Sequence, residues 1–196
     1  MEKEINYASS YVARVTMDVM GELFQGARLT MNWLADCARL IASRGQPVAW
    51  FSPVGVPVVQ PYRQSKSYTI VTILQNLVLS SSDDYLPIHK QRQVTAFPPN
   101  YVHSLDSSHM LLTALEMRKR GLEFSAVHDS FWTHPSDVDE MNIVLREVFT
   151  DLYEGPLLEE LKRNWELRYP DLIFPDLPEK GTLNLEEVKH APYFFQ

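Results

Sequence analysis

A single cysteine, Cys37, occurs in 196 residues, so no intrachain disulfide can form and a zinc site built on cysteines is excluded. It sits in an apolar helical run and is read as a buried, inert thiol. Nor does any stretch approach the ~20 uninterrupted apolar residues that a bilayer crossing needs, so no membrane span is expected. The segment from Met1 to Met20 contains Glu2, Glu4 and Asp18. It has neither a basic n-region with an apolar core nor an Arg-rich, acid-poor pattern, and a targeting signal is expected to be absent from this chain or lost upstream. Basic charge is also short. With 18 Lys and Arg against 25 Asp and Glu, the net charge of −7 argues against nucleic-acid binding by bulk electrostatics. Such a function would need local basic patches or positive charge supplied from elsewhere. No internal repeat or low-complexity tract is visible. What is present, 45% hydrophobic and 22% charged residues, describes a soluble globular chain long enough for one ordinary domain or two small lobes.

Apolar residues recur at three- and four-residue spacing from about Ser9 to Arg44, with Gly21 and Gly26 inside the pattern. This predicts two helices or one kinked helix, stopped by Gly45 and Pro47. Val48–Phe51 and Val56–Val59 read as short strands around a Pro-Val-Gly turn. Residues 67–79 are rich in β-branched and apolar types, with Gln75-Asn76 as a possible hairpin turn. Residues 80–93 are polar and read as a loop. Pro98-Pro99-Asn100 is expected to break the chain, after which a helix runs from Ser104 to Arg120 with Ser104 or Asp106 as N-cap. Arg118, Lys119 and Arg120 at its end either match the helix dipole or meet phosphate. Residues 122–134 are β-prone on both sides of His128-Asp129-Ser130. Ser136 and Asp139 read as a capping box for a helix reaching Tyr153, with Val138, Met141, Val144, Leu145 and Val148 on its core face. A further helix follows from about Leu157 to Arg168, and one helical turn near Leu185–Lys189 interrupts a proline-broken tail.

Two places could carry chemistry. In the first, an apolar strand delivers Asp129 to a tight turn. A carboxylate there is held by a rigid ladder yet faces outward, as a protein ligand to Mg²⁺ must; the alternative is an aspartate that merely favours the turn. His128, Asp129 and Ser130 do not make a hydrolase triad, because consecutive strand residues point to opposite faces. The second place is His103, Asp106 and His109. Positions six apart on a helix lie too far apart in angle for the three to converge on one metal, and Asp106 with Ser107 reads as a helix cap.

The segment Phe97–Met110 (Phe-Pro-Pro-Asn-Tyr-Val-His-Ser-Leu-Asp-Ser-Ser-His-Met), followed by Val127-His128-Asp129-Ser130-Phe131-Trp132-Thr133, resembles the C-terminal region of single-subunit, bacteriophage-type RNA polymerases. There a Pro-Asn-Phe-x-His-Ser-x-Asp-x-Ser-His helix leads into a His-Asp hairpin termed motif C. Upstream, Trp50–Tyr62 resembles the family's Trp-x-x-Pro-x-Gly-x-Pro-Val segment, and Pro178–Leu185 with the aromatic terminus resembles its tail. The match covers nearly the whole chain in the right order, with four segments in register. The Gln-Pro-Tyr, Leu-Asp-Ser-Ser-His-Met and Tyr-Phe-Phe details look like the mitochondrial branch.

The resemblance implies an α+β, mainly helical fold, the C-terminal fingers and palm portion of a right-hand polymerase of thumb, palm and fingers with a catalytic β-hairpin. Residues 1–103 would be distal fingers, including a specificity-loop-like segment at about 64–96, and residues 104–196 the palm portion. The implied enzyme is a DNA-directed RNA polymerase that transfers ribonucleotides by two-metal catalysis, with Mg²⁺ ions about 3.5–4 Å apart. Asp129 is the implied catalytic and metal-binding residue. His128 shapes the turn, and His103 resembles a residue near the nascent base pair. The partners implied are DNA template and promoter, nascent RNA, ribonucleoside triphosphates and mitochondrial transcription factors, in the mitochondrial matrix. The family's other catalytic aspartate (motif A) and its nucleotide-gripping lysine and tyrosine (motif B) match nothing here, so the chain alone is expected to be inactive. Rival readings are a palm-family DNA polymerase fragment, whose hairpin continues with Glu where Ser130 stands, and a non-catalytic fragment that binds nucleic acid or partners.

Overall fold

The structure, a computed structural model, describes residues 2–81, 85–127 and 130–194. Five α-helices, two 3-10 helices and three two-stranded antiparallel sheets make up its regular elements among these residues. Helix α1 spans Glu2–Leu23 and α2 Gln25–Ser43, so the sequence pattern resolves into two helices that meet at Phe24. The two apolar faces differ sharply. Trp33, Leu34, Cys37, Ala38 and Ile41 of α2 are buried, whereas the apolar stripe of α1, including Tyr11, Val12, Val15 and Val19, is exposed.

Strands β1 (Ala49–Phe51) and β2 (Pro57–Val59) pair with Trp50 opposite Val58. Gly55 makes their turn possible at φ +82°, a conformation open to residues without a Cβ, and its N–H donates to Ser52 O at 2.8 Å. Strands β3 (Lys66–Val71) and β4 (Asn76–Ser81) form a second hairpin closed by residues 72–75, so Asn76 opens a strand instead of completing the turn. The residues expected to be a loop from 80 to 93 are divided: β4 reaches Ser81, and helix α3 begins at Lys90.

Helix α3 is the main correction to the sequence reading. It runs unbroken for 30 residues from Lys90 to Lys119, straight through Pro98 and Pro99. Each proline removes a backbone donor and crowds the carbonyl four residues earlier, a penalty of about 3 kcal/mol or more in an isolated helix. Tertiary burial opposes that cost: Phe97 and Pro98 are buried, as are Tyr101 and Leu105 on the next turns. Ser104, Asp106 and Ser107 are therefore interior helix residues and cap nothing. The helix ends as expected at Gly121 (φ +73°), where Gly121 N–H donates to Arg118 O and Leu122 N–H to Met117 O.

Strands β5 (Ser125–Val127) and β6 (Ser130–Trp132) form the third hairpin. A 3-10 turn at Pro135–Asp137 then leads into α4 (Val138–Glu154), followed by α5 (Leu157–Arg168). The expected capping box is absent. Ser136 Oγ donates to Asp137 Oδ1 at 2.9 Å, and no side chain caps α4, because Pro135 starts a tighter turn just before it. Met141, Val144 and Leu145 of α4 are buried as expected, Val148 is partly buried and Val138 is exposed. A 3-10 helix at Leu185–His190 lies in the tail.

Two apolar clusters organise the chain, and α3 belongs to both. The first joins Trp33, Leu34 and Ile41 of α2, Val48 and Trp50 of the first hairpin, Phe97 and Tyr101 of α3, Trp165 of α5 and Phe174. Trp165 is fully buried and its Nε1–H donates to Ala49 O at 2.8 Å. The second cluster joins Met117 at the end of α3 to Met141, Val144 and Leu145, with Phe124 and Phe131 of the third hairpin and Phe194 packed against it. The expected division at residues 103/104 falls inside this helix.

Candidate functional site

The first hairpin and the middle of α3 enclose a groove of about 380 Å³. Trp50, Val56 and Val58 wall one side, and Asn100, His103, Ser104 and Ser107 the other. Two of the sequence segments singled out above are therefore neighbours in space. Hydrogen bonds fix them together. Trp50 Nε1–H donates to Ser104 Oγ at 2.9 Å, and Ser104 Oγ–H donates to Tyr101 O at 2.7 Å. Asn100 Nδ2 donates to Gln60 Oε1 at 2.9 Å and to the Tyr62 hydroxyl at 3.2 Å. Asn100 and Ser104 are thus occupied in holding the groove, while His103 projects from it with its side chain 79% exposed. Its Nδ1 lies 3.9 Å from Asp106 Oδ2, a solvated pair that contributes little to stability.

The groove ends on a buried amide cluster that the sequence did not suggest. Gln93 Oε1 accepts from Val48 N–H at 3.0 Å and from Gln60 Nε2 at 2.9 Å. Gln93 Nε2 donates to Gln60 O and Tyr62 O, each at 3.1 Å. All four bonding directions of this amide are filled inside the protein. With His89 N–H donating to Tyr62 O and Gln64 N–H to Pro87 O, the cluster roots the second hairpin. That arm carries Tyr68, Ile70, Leu77 and Leu79 on one face, by register, and all four are exposed. Ile73 and Leu74 stand at its tip, and no charged residue occurs from Ser67 to Ser81.

The third hairpin approaches the other end of α3. Its strands flank His128 and Asp129, and these two residues lie outside the described residues. Exposure alternates along both strands: Phe124, Ala126 and Phe131 face inward, while Val127 and Trp132 face solvent. The Phe124 and Phe131 rings lie 5.7 Å apart, and Thr133 Oγ1–H donates to Glu123 O at 2.6 Å across the strands' open end.

His109 does not join His103 and Asp106, as the helical spacing required. It is buried, with Nε2 2.9 Å from Leu145 O on α4. A carbonyl can only accept, so Nε2 carries the proton. Burial lowers the His109 pKa and favours the neutral ring. At the end of α3, Lys119 pairs with Glu116, and Arg120 reaches Glu140 at 2.5 Å and Glu147 at 2.6 Å on α4. Those carboxylates raise the Arg120 pKa and engage its charge, which ties α3 to α4 and leaves Arg120 poorly placed for phosphate. Cys37 is buried, and its thiol pKa is pushed up to about 12, mainly by desolvation. Among the described residues, no three His, Cys, Asp or Glu side chains stand together in a way that could hold a metal ion.

Comparison with known proteins bears on the family of the chain. A profile of the family described as DNA-dependent RNA polymerase matches residues 1–173. DNA-directed RNA polymerase 3B, chloroplastic, of Nicotiana tabacum is 55% identical over 188 residues, covering 96% of this chain and 19% of that protein. DNA-directed RNA polymerase 1, mitochondrial, of Nicotiana sylvestris is 50% identical over 194 residues, covering 99% and 19%. DNA-directed RNA polymerase 2A of Nicotiana tabacum is 48% identical over 194 residues, covering 99% of this chain and 58% of that protein. The chain thus spans about a fifth of the length of the first two relatives. On the profile match and on identities of this size over nearly its whole length, the chain belongs to the phage-type DNA-dependent RNA polymerase family.

Proposed function

We propose that this chain forms the C-terminal fingers and palm portion of an organellar DNA-directed RNA polymerase and takes part in template-directed ribonucleotidyl transfer. One observation carries the reading: a single helix, α3, joins the groove at His103 to the cluster under the hairpin that bears Asp129. A rigid element of this kind holds two parts of a site at fixed separation, which a reaction governed by positioning requires.

In this reading Asp129 is the catalytic carboxylate and a ligand to Mg²⁺, His128 shapes its turn, and His103 lies beside the nascent base pair. Mg²⁺, when bound, would offset negative charge on the transferring phosphoryl group. Among the described residues no three His, Cys, Asp or Glu side chains form a metal site of their own; in this reading Asp129 would be this chain's contribution and the remaining ligands would come from outside it. No residues resembling motifs A and B are present, and the isolated chain is proposed to be inactive. DNA template and promoter, nascent RNA, ribonucleoside triphosphates and transcription factors are the proposed partners, and the compartment is the mitochondrial matrix. The acidic balance is accommodated if basic template-binding surfaces lie elsewhere in the enzyme.

The test is a chimera in which residues 1–196 replace the matching segment of a full-length Nicotiana polymerase. Primer extension with ribonucleotides is expected from the chimera and not from the isolated chain. A chimera that binds template but adds no nucleotide would contradict the proposed function, and synthesis by the isolated chain would contradict its proposed incompleteness. A full-length fusion found in chloroplasts and not in mitochondria would overturn the proposed compartment.

A further inference from the structure

We propose that His109 is a positioning residue for the hairpin that carries Asp129, an inference that rests on the role given to Asp129 above. Two strands of three residues have little stability of their own, so the hairpin takes its position from what its inner face touches. That face includes Phe131, two residues after Asp129. The His109 ring meets Phe131 edge-on, with centroids 6.3 Å apart and planes at 81°. It meets Phe149 of α4 in the same way at 5.6 Å and 85°. One buried imidazole on α3 therefore touches both the hairpin and α4.

The hydrogen bond explains why a histidine suits this place. Leu145 lies inside α4, where its carbonyl already serves the helix ladder, so His109 is not needed to satisfy it. What the bond adds is direction. It fixes the ring about its side-chain axis and so sets the face offered to Phe131, which a leucine of similar size could not do. The opposite wall is held as well. Phe149 packs on Phe194 at 5.0 Å, and the Arg146 guanidinium lies 5.3 Å from that ring. Arg146 Nη1 also donates to Val188 O at 2.6 Å and Ala191 O at 2.7 Å, anchoring the tail that carries Phe194. On the neighbouring position Ser108 lines the groove of His103, so the same turn of α3 faces both halves of the proposed site.

The experiment uses the chimeric polymerase with His109→Ala, His109→Gln, Phe131→Leu and the His109→Ala/Phe131→Leu double variant. Single-nucleotide addition is measured with the active fraction titrated by burst amplitude. Misplacing a reacting group by about an ångström costs up to ~100-fold, so His109→Ala is expected to lower kcat by roughly 10- to 100-fold. The nucleotide KM and template binding should change less than about twofold, since neither is attributed to His109. His109→Gln, whose amide can still donate to Leu145 O, should recover part of kcat. The double variant should be no slower than the worse single one, because His109 acts through Phe131. Equal kcat for wild type, His109→Ala and His109→Gln would overturn the proposal, as would a loss confined to burst amplitude or fully multiplicative effects in the double variant. Should His109→Ala yield no folded enzyme, His109→Gln and Phe131→Leu decide by the same criteria. Asp129→Asn in the same background separates the two levels: retained activity there would remove the role of Asp129 and the proposal built on it.

Discussion

Replacing Gln93 by methionine keeps the volume of the side chain and removes all of its hydrogen bonding. Gln93 is fully buried, so water does not replace what is lost. Val48 N–H and Gln60 C=O lose their partner outright. Tyr62 C=O keeps the bond from His89 N–H, and Gln60 Nε2 keeps its bond to the Gln93 carbonyl. Two unsatisfied buried groups at about 1–3 kcal/mol each give an expected destabilisation of roughly 2–6 kcal/mol. That is a large part of the 5–15 kcal/mol typical of a folded domain. Urea denaturation should show a lower midpoint at unchanged slope. Hydrogen exchange should speed up first at His89 and Gln64, the amides that root the second hairpin. Gln93→Glu should do at least as much harm, because a carboxylate would face the Gln60 and Tyr62 carbonyl oxygens. A Gln93→Met protein within about 0.5 kcal/mol of the parent would refute the reasoning, since that is the range of an ordinary surface substitution.

Two further outcomes follow from the first cluster. Trp165→Phe keeps most of the buried ring but leaves the Ala49 carbonyl without the indole N–H, and a loss of roughly 1–3 kcal/mol is expected by thermal or urea denaturation. Cys37 should not react with an aromatic disulfide reagent until the chain is unfolded, because its thiol is buried. Its raised pKa also gives a pH dependence. The unfolded thiol releases its proton from about pH 9 while the folded one holds it to about pH 12, so stability should fall across that window. In Cys37→Ala, this part of the alkaline loss should disappear.

Much of the fold was legible because local and global preferences agree. The apolar periods of α2 and α4, the Gly55 turn and the alternating residues around Phe131 each point to the element that forms. At Pro98-Pro99 they disagree. Local chemistry calls for a break, while burial of Phe97, Pro98 and Tyr101 along one line favours a continuous helix, and packing prevails. No window of sequence contains both sides of that contest. Gln93 was illegible for a related reason. Within Lys-Gln-Arg-Gln it looks like a solvated helix residue, and only the fold brings Gln60, Tyr62 and Val48 around it. On α1 the period correctly marks a helix with an apolar face and says nothing of what covers it; within this chain that face is exposed. For the candidate site, spacing alone separated His103 from His109. The burial of His109 depends on α4 and the third hairpin, elements distant in sequence.

The most direct measurement concerns one carboxylate. In the chimeric polymerase, Asp129→Asn should abolish nucleotide addition, by a factor of at least about 10³ if it removes charge stabilisation at the reacting phosphate, while template affinity stays within about twofold. Nucleotide addition at an undiminished rate would show that the hairpin holds no catalytic group and would contradict the function proposed for this chain.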